Sequence, residues 1–482
     1  MSILENLFML VINTLEAIIK YIFEFLEVAI SGIPKKKGSY NAEFASSGIL
    51  LSRRATGFCL TGRRNLSVKN SYQNALIIGG TGVGKSSIVL LPSLYTMQSS
   101  FIIHDPSGEL YAKSSGHLSQ RGYDVRVLNF ANPEISIRYN PLSRAKSSSD
   151  VQKIASMLVD NAFGGKGKDP FWNTQAVSLL SMIFSILKSQ EPEFQNLFNA
   201  RQLLNQLGGN PKGVDSLFSR HADEILFAEY KSFLAYDEKV INGIIATCKA
   251  ALQKFSDDYI ARVTSDDTLD FSTFRKRPVA LFIQNSIADQ KYYSVLTSIY
   301  FEQFFSYVLG RFPQENELDI FLLIDETGSL NLPTLPLAVA NVRKHRSGIM
   351  LLIQDFNQLI HNYGQFDANA IKANCFAKLF FTGQSLETTK ELEQILGKFE
   401  YEDKEGKKIV RSLMTNDEIR TMKASTALLV CGHHKPILTR IKPYYKISKL
   451  RAYSEFKTPD MRTNVSDGAI PLLPLNNAEN EA

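Results

Sequence analysis

The sequence predicts an α/β protein: a mostly parallel sheet built from short buried strands, interrupted by one long stretch that contains no strand. Three observations predict it. Apolar runs of four to six residues recur, each ending at a glycine-rich or acidic turn, as at Ala75–Ile78, Phe101–Asp105 and Phe321–Asp325. Helical patterns separate them, the rhythm that makes parallel strands. From the Ser147-Ser148-Ser149-Asp150 cap to about residue 265, the apolar period is helical throughout, with breaks at Gly164–Gly167 and Gly208–Pro211.

The elements follow in order. Residues 1–33 are mostly apolar but carry Glu5, Glu16, Lys20, Glu24 and Glu27. The longest uncharged run, Asn6–Leu15, is half of what a membrane-spanning helix requires. On a helix the charges, with Ser2, Asn6 and Asn13, form one stripe roughly 100° wide. Such a helix suits a membrane interface, a partner in a bundle, or this protein's own core; Lys35-Lys36-Lys37 after it suits an anionic membrane surface. No small-residue cleavage site follows, which argues against a secretory signal. Between Lys35 and Lys69 eight Lys/Arg stand against Glu43 alone, a local charge of +7 in a chain of net +6, so the remainder is close to neutral.

Residues 75–87 read ALIIGGTGVGKSS: strand, glycine-rich turn, start of helix. Gly79, Gly84, Lys85 and Ser86 fit G-x-x-x-x-G-K-S, the phosphate-binding loop. Glycines let backbone N–H groups turn inward around a phosphate, and a helix N-terminus adds positive potential. The loop residues are Gly79, Gly80, Thr81, Gly82, Val83, Gly84, Lys85, Ser86 and Ser87; Lys85 is expected to reach the β/γ-phosphates of ATP, and the Ser86 hydroxyl to coordinate Mg2+. Strand FIIHD (101–105) runs into DPSGEL, strand VRVLNF (125–130) follows, and YNPL (139–142) closes the run. After the helical stretch, strands resume at 279–283, 321–325, 349–354, 376–381 and 427–431. The tail from about Thr458 lacks periodicity and is expected as an exposed arm.

A phosphate-loop hydrolase needs a second acidic strand end. FLLIDE supplies it: Asp325 to organise Mg2+ and Glu326 as general base for water. Gln354 ends the next strand, placed either to sense the γ-phosphate or simply as a hydrogen-bonded strand terminus. VRKHRSG before it offers Arg343 and Arg346 as an arginine acting on a neighbouring subunit's site, with a solvated basic turn as the alternative. Trp172 reads as a buried anchor more than a base-stacking platform. The four cysteines are scattered, giving no zinc or disulfide framework, and the histidines have no ligand spacing.

Taken in order, GGTGVGKSS, DPSGEL, YNPL, DPFW, LLIDETGSL, RKHRSG with IQ, QLIHNYGQ and ETTKELEQILG resemble the coupling proteins of type IV secretion systems, the TraG/TraD-type ATPases of conjugation and effector export, over roughly residues 70–400. The resemblance implies a RecA-like P-loop nucleotide-binding domain (residues 36–145 and 269–457) carrying an inserted all-α, substrate-recruiting domain (146–268); the residue pattern itself adds an amphipathic helix (1–35) before it and a flexible tail (458–482) after it. It implies a homo-hexamer at the cytoplasmic face of the bacterial inner membrane that passes DNA, relaxase–DNA complexes or effector proteins to secretion channel components. It also implies roles for Lys85, Ser86, Asp325, Glu326, Gln354 and the Arg343/Arg346 pair at the ATP and Mg2+ site. The family commonly begins with two transmembrane helices, which residues 1–33 do not provide, so a single amphipathic helix or a small membrane partner is expected to anchor the chain. Two other readings stand beside it: a docking receptor for substrates or chaperones with ATP as an assembly switch, and an FtsK/HerA-like DNA translocase, against which the large helical insert argues.

Overall fold

A computed structural model describes residues 40–163, 170–285, 288–461 and 469–475. The expected amphipathic helix at 1–35, the lysine run at 35–37 and the glycine break at 164–167 lie outside the described residues.

The chain forms a mixed α/β fold around a nine-stranded, mostly parallel sheet ordered β11-β10-β7-β1-β6-β5-β2-β4-β3. The strands are β1 (Ala75–Ile78), β2 (Ser100–His104), β3 (Asp124–Leu128), β4 (Val279–Ile283), β5 (Ile320–Ile324), β6 (Ser347–Ile353), β7 (Ala377–Phe380), β10 (Thr426–Cys431) and β11 (Ile437–Arg440). Only β10 runs against its neighbours, antiparallel to both β7 and β11. Each strand read from an apolar run is present within a residue or two, because burial on both faces makes such strands continuously apolar. In β1 all four residues are fully buried: Leu76 and Ile78 enter one apolar core, Ala75 and Ile77 the other.

Helices cover both faces. The phosphate-loop segment leads into α1 (Leu91–Thr96), and α2 (Glu109–Gln120) follows β2. Between β3 and β4 the described chain has no strand: α3 (Ser148–Phe163), α4 (Pro170–Lys188), α5 (Leu197–Gly209), α6 (Lys212–His221), α7 (Glu224–Leu234), α8 (Glu238–Ala251) and α9 (Asp258–Thr264) succeed one another. Their apolar stripes pack into the core that contains Leu76 and Ile78. α10 (Gln290–Leu309) precedes β5; α11 (Leu335–Asn341) and α12 (Phe356–Ala373, broken at Gly364) flank β6; α13 (Leu386–Leu396), α14 (Asn416–Arg420) and α15 (Ser448–Tyr453) complete the set.

Three features depart from the sequence reading. Residues 86–90 form a π-helical turn, not the first turn of an α-helix. Pro92 has no N–H to give the Ile88 carbonyl, and the bonding shifts so that Leu91 N–H reaches Ser86 O. A hairpin of β8 (Lys398–Glu402) and β9 (Lys408–Ser412) was not anticipated, because charges occupy half of the positions in the two strands. Strand β11 (Ile437–Arg440) was not read either; among the described tail residues, the largely exposed segment 469–475 has no regular structure, and the Asn199 side chain on α5 donates to Pro471 O (3.0 Å) and accepts from Leu473 N (2.9 Å).

Candidate active site

The register places four strand ends side by side. Ile78 of β1 pairs with Ile353 of β6, Leu351 of β6 with Ile324 of β5, and Ile324 with His104 of β2. Loops leaving these C-terminal ends therefore converge, the position where open parallel sheets hold ligands. A cleft of about 500 Å3 lies there, lined by Thr81, Gly82, Gly84, Lys85, Ser86, Ser87, Glu109, Asp325, Glu326, Gly328, Gln354 and Gln358. That size accommodates a nucleotide-sized ligand.

The glycine-rich loop is tied at its root. Gly79 N donates to Ile353 O (3.2 Å), and Gln384, buried beyond β7, donates to Ile78 O (3.0 Å) and Phe381 O (2.8 Å). Gly82 (φ +78) and Gly84 (φ +90) take left-handed conformations that L side chains adopt only with strain. No atom lies within 4 Å of where a Cβ would stand on Gly80 or Gly82, so backbone faces an open cradle. Val83 instead packs against the core beneath the loop.

Lys85 Nζ donates to the carbonyls of Gly79 (2.6 Å) and Gly80 (3.0 Å). Burial holds its pKa below the ordinary value, while Asp325 and Glu326 push the other way. Ser86 Oγ donates to Asp325 Oδ2 (3.1 Å), across 239 positions of sequence. Burial raises the Asp325 carboxyl to about 6, with the Ser86 bond and Lys85 lowering it and Glu326 and Asp105 raising it. A hard divalent cation prefers such a hydroxyl–carboxylate pair, completing its shell with phosphate oxygens and water. The donor set thus fits Mg2+, which Ser86 and Asp325 would hold.

Glu326 follows in a left-handed conformation (φ 53°, ψ 50°), and its N–H is held by Asp325 Oδ1 (3.1 Å). For a non-glycine residue this costs on the order of 1–3 kcal/mol, the kind of local strain that gathers at functional sites. His104, buried at the end of β2, is bonded through Nδ1 to Asp325 O (2.6 Å); burial drops its pKa to about 4, so the ring is neutral and its Nδ1–H donates.

The cleft brings together Thr81, Gly82, Gly84, Lys85, Ser86 and Ser87 of the loop with Asp325, Glu326 and Gln354, whereas Gly79, Gly80 and Val83 do not line it. It does not include Arg343 or Arg346, which precede β6 at the opposite end of the sheet. Arg346 is engaged there: Nε and Nη2 meet Asp319 Oδ1 (2.9 and 2.8 Å), and Nη1 donates to the carbonyls of Gln314 and Glu315 (2.9 and 3.1 Å). Arg343 is exposed and, among the described residues, its side chain reaches only Gln73 Oε1, at 3.4 Å. Trp172 is half-buried and packs against the core, and a Cβ on Gly243 of α8 would come within 2.6 Å of its indole.

Sequence reasoning missed Glu109, Gly328 and Gln358. Glu109 stands in the first turn after DPSG, where Asp105 caps α2 by accepting Leu110 N (3.2 Å) and Tyr111 N (2.7 Å). Gln358 lies one helical turn after Gln354, a spacing that places both near one strand end.

Known proteins resemble this chain in sequence and in fold. The family model described as type IV secretory system conjugative DNA transfer matches residues 41–467. The chain is 20% identical to protein VirD4 of Rhizobium rhizogenes over 411 residues, covering 81% of this chain and 60% of that protein. It is 23% identical to conjugal transfer protein TraG of Escherichia coli over 356 residues, covering 68% and 55%. It therefore spans little more than half the length of these relatives. Among solved structures it is similar to the bacterial conjugative coupling protein TrwBdeltaN70 in complex with sulphate, with a TM-score of 0.65 at 19% identity over 85% of this chain and 95% of that one. The plasmid coupling protein TrwB in complex with ADP and Mg2+ gives 0.64 at 19% identity. These likenesses show a shared fold.

Proposed function

The chain belongs to the type IV secretory system conjugative DNA transfer family, and from that premise we propose that it is an ATP-hydrolysing coupling protein. It recruits DNA–protein or effector substrates and delivers them to a secretion channel. The observation that carries the reading is the Ser86–Asp325 hydrogen bond, which joins a glycine-rich loop on β1 to an acidic end on β5 within one cleft. The binding of ADP and Mg2+ by TrwB supports the same ligands here.

In this reading the core is a RecA-like P-loop domain, residues 36–145 and 269–457, and the helices of residues 146–268 form an inserted domain. The loop N–H groups and Lys85 hold the phosphates, and Ser86 and Asp325 hold Mg2+. The ion neutralises charge on the phosphate oxygens when bound. Glu326 accepts a proton from water as its oxygen bonds to the γ-phosphorus and the bond to the β–γ bridging oxygen breaks, the electron pair leaving with ADP. Gln354 responds to the terminal phosphate. Arg343, unlike Arg346, is free to act on a neighbour's site in a homo-hexamer.

The helical insert carries 13 Lys/Arg against 15 Asp/Glu, which suits recruitment of protein surfaces better than of phosphate backbone. That charge balance favours, as a second reading, a docking receptor in which ATP drives assembly. Among the described residues no helix is long and apolar enough to cross a membrane. Residues 1–35, or a small membrane partner, would hold the ring at the cytoplasmic face of the inner membrane.

The test is the ATPase rate with single- and double-stranded DNA at two salt concentrations, beside Glu326→Gln. Turnover that DNA stimulates, that falls with salt and that drops about 10²- to 10⁴-fold in the variant supports the motor. A rate indifferent to DNA supports the receptor.

A further inference from the structure

The first turn of α12 is organised around one amide. Asp355 caps the helix by accepting Gln358 N–H (3.3 Å), and the backbone N–H of Gln354 donates to Gln358 Oε1 (2.9 Å). A backbone N–H can only donate, so this bond fixes which end of the carboxamide is oxygen. The other end is Nε2, and the side chain lines the cleft with Lys85, Asp325 and Glu326. Among the described residues Nε2 donates to no protein acceptor.

The same side chain rests against the loop that follows the acids. A Cβ on Gly328 would fall 2.8 Å from Gln358 Cδ, so only glycine permits this approach. One turn along, Asn362 Nδ2 donates to the carbonyls of Gly328 (2.8 Å) and Leu330 (3.2 Å). Gln358 is thereby fixed from two sides, by the end of β6 and by the loop carrying Glu326. Gln354 itself is exposed, and its held group is the backbone N–H. A donor oriented beforehand and left without a protein partner is suited to an oxyanion that arrives with the ligand.

We infer that Gln358 donates through Nε2 to the terminal phosphoryl group of the bound nucleoside triphosphate, so that this amide distinguishes triphosphate from diphosphate. The inference rests on the nucleotide reading above. The location supports the terminal group: Gln358 shares its stretch of the cleft with Glu326, where the attacking water and the phosphorus it attacks must meet. Its partner bonds add that any shift of Gln358 is passed to Gly328 and, through Asn362, along α12.

The experiment uses the full chain and measures affinity for ADP and for a non-hydrolysable ATP analogue, together with kcat, in wild type, Gln358→Leu and Gln358→Glu. The glutamate keeps an oxygen for the Gln354 N–H but replaces the Nε2 donor with negative charge. Both variants are expected to bind ADP within about twofold of wild type and to lose the preference for the analogue. kcat should fall on the order of 100-fold in Gln358→Leu, and further in Gln358→Glu. A purely structural role predicts the reverse order, with glutamate close to wild type and leucine impaired for both nucleotides, and that result overturns the inference. If the leucine variant does not fold, an analogue-to-ADP ratio in the glutamate variant equal to wild type overturns it as well. Wild-type protein that binds neither nucleotide would sink the nucleotide reading itself, a failure distinct from an unchanged ratio.

Discussion

Lys85→Ala separates a functional lysine from a structural one. The ammonium is held by the carbonyls of Gly79 and Gly80, and hydrogen bonds to charged groups contribute about 1.5–3 kcal/mol each. Two opposing effects reduce the net change. The Gly80 carbonyl, on the half-buried part of the loop, regains water when the side chain is removed, and the folded protein no longer desolvates a cation whose pKa burial has lowered. No core packing is lost, so a net cost of about 1–2 kcal/mol is expected, a shift in Tm of at most about 4 °C for a protein this large. Turnover should respond far more. Removing a preorganised positive donor from a transferring phosphoryl group costs about 3–4 kcal/mol of transition-state stabilisation, two to three orders of magnitude in rate. Phosphate release and thermal unfolding, measured on the same preparation, check both halves. Wild-type turnover refutes the site. A collapse in Tm, with residual activity tracking the folded fraction, refutes the claim that the lysine is held for a ligand.

Arg346→Ala should destabilise by about 1–3 kcal/mol, since it leaves Asp319 and two carbonyls without their partner, whereas Arg343→Ala should leave urea unfolding unchanged and lower turnover only in assembled protein; the opposite pattern returns the in-trans role to Arg346. His104 gives a pH signature: its pKa is depressed from 6.5 to about 4, so the unfolded chain takes up a proton that the folded one refuses, and stability should fall as pH drops from 6.5 towards 4, by up to about 1.4 kcal/mol per unit. Asp105 and Asp325, both raised to about 6, act with the opposite sign below pH 6, so the quantity to measure is wild type minus His104→Gln by urea unfolding across that range; a flat difference curve contradicts a neutral buried ring.

Much of the fold was legible because sheet burial writes itself directly into sequence. Residues 75–78 and 320–324 are apolar at every position since both faces of each strand meet a core, and a polar residue after such a run marks a strand end. The loop and the acids were readable for the same reason: glycines at 82 and 84 are demanded by left-handed backbone, and the acid at 325 by chemistry. What was not legible depends on contacts remote in sequence. The β8–β9 hairpin carries little apolar pattern, and residues 471–473 are held by Asn199, a partner more than 270 positions away.

Arg343 and Gln358 show the two ways in which a motif underdetermines a site. RKHRSG offers two arginines of equal chemical promise, and only Asp319, with the carbonyls of Gln314 and Glu315, distinguishes the one already committed. IQDFNQ offers two glutamines. Strand-end logic selects Gln354, yet the helix that starts at Phe356 folds the second amide back onto the first one's N–H and leaves its donor in the cleft. In each case the pattern states which chemistry is present, and hydrogen bonding within the fold commits one arginine and orients one glutamine. A motif with one fitting residue, as at Lys85, therefore names a single residue to test, and a motif with two leaves the choice to the fold.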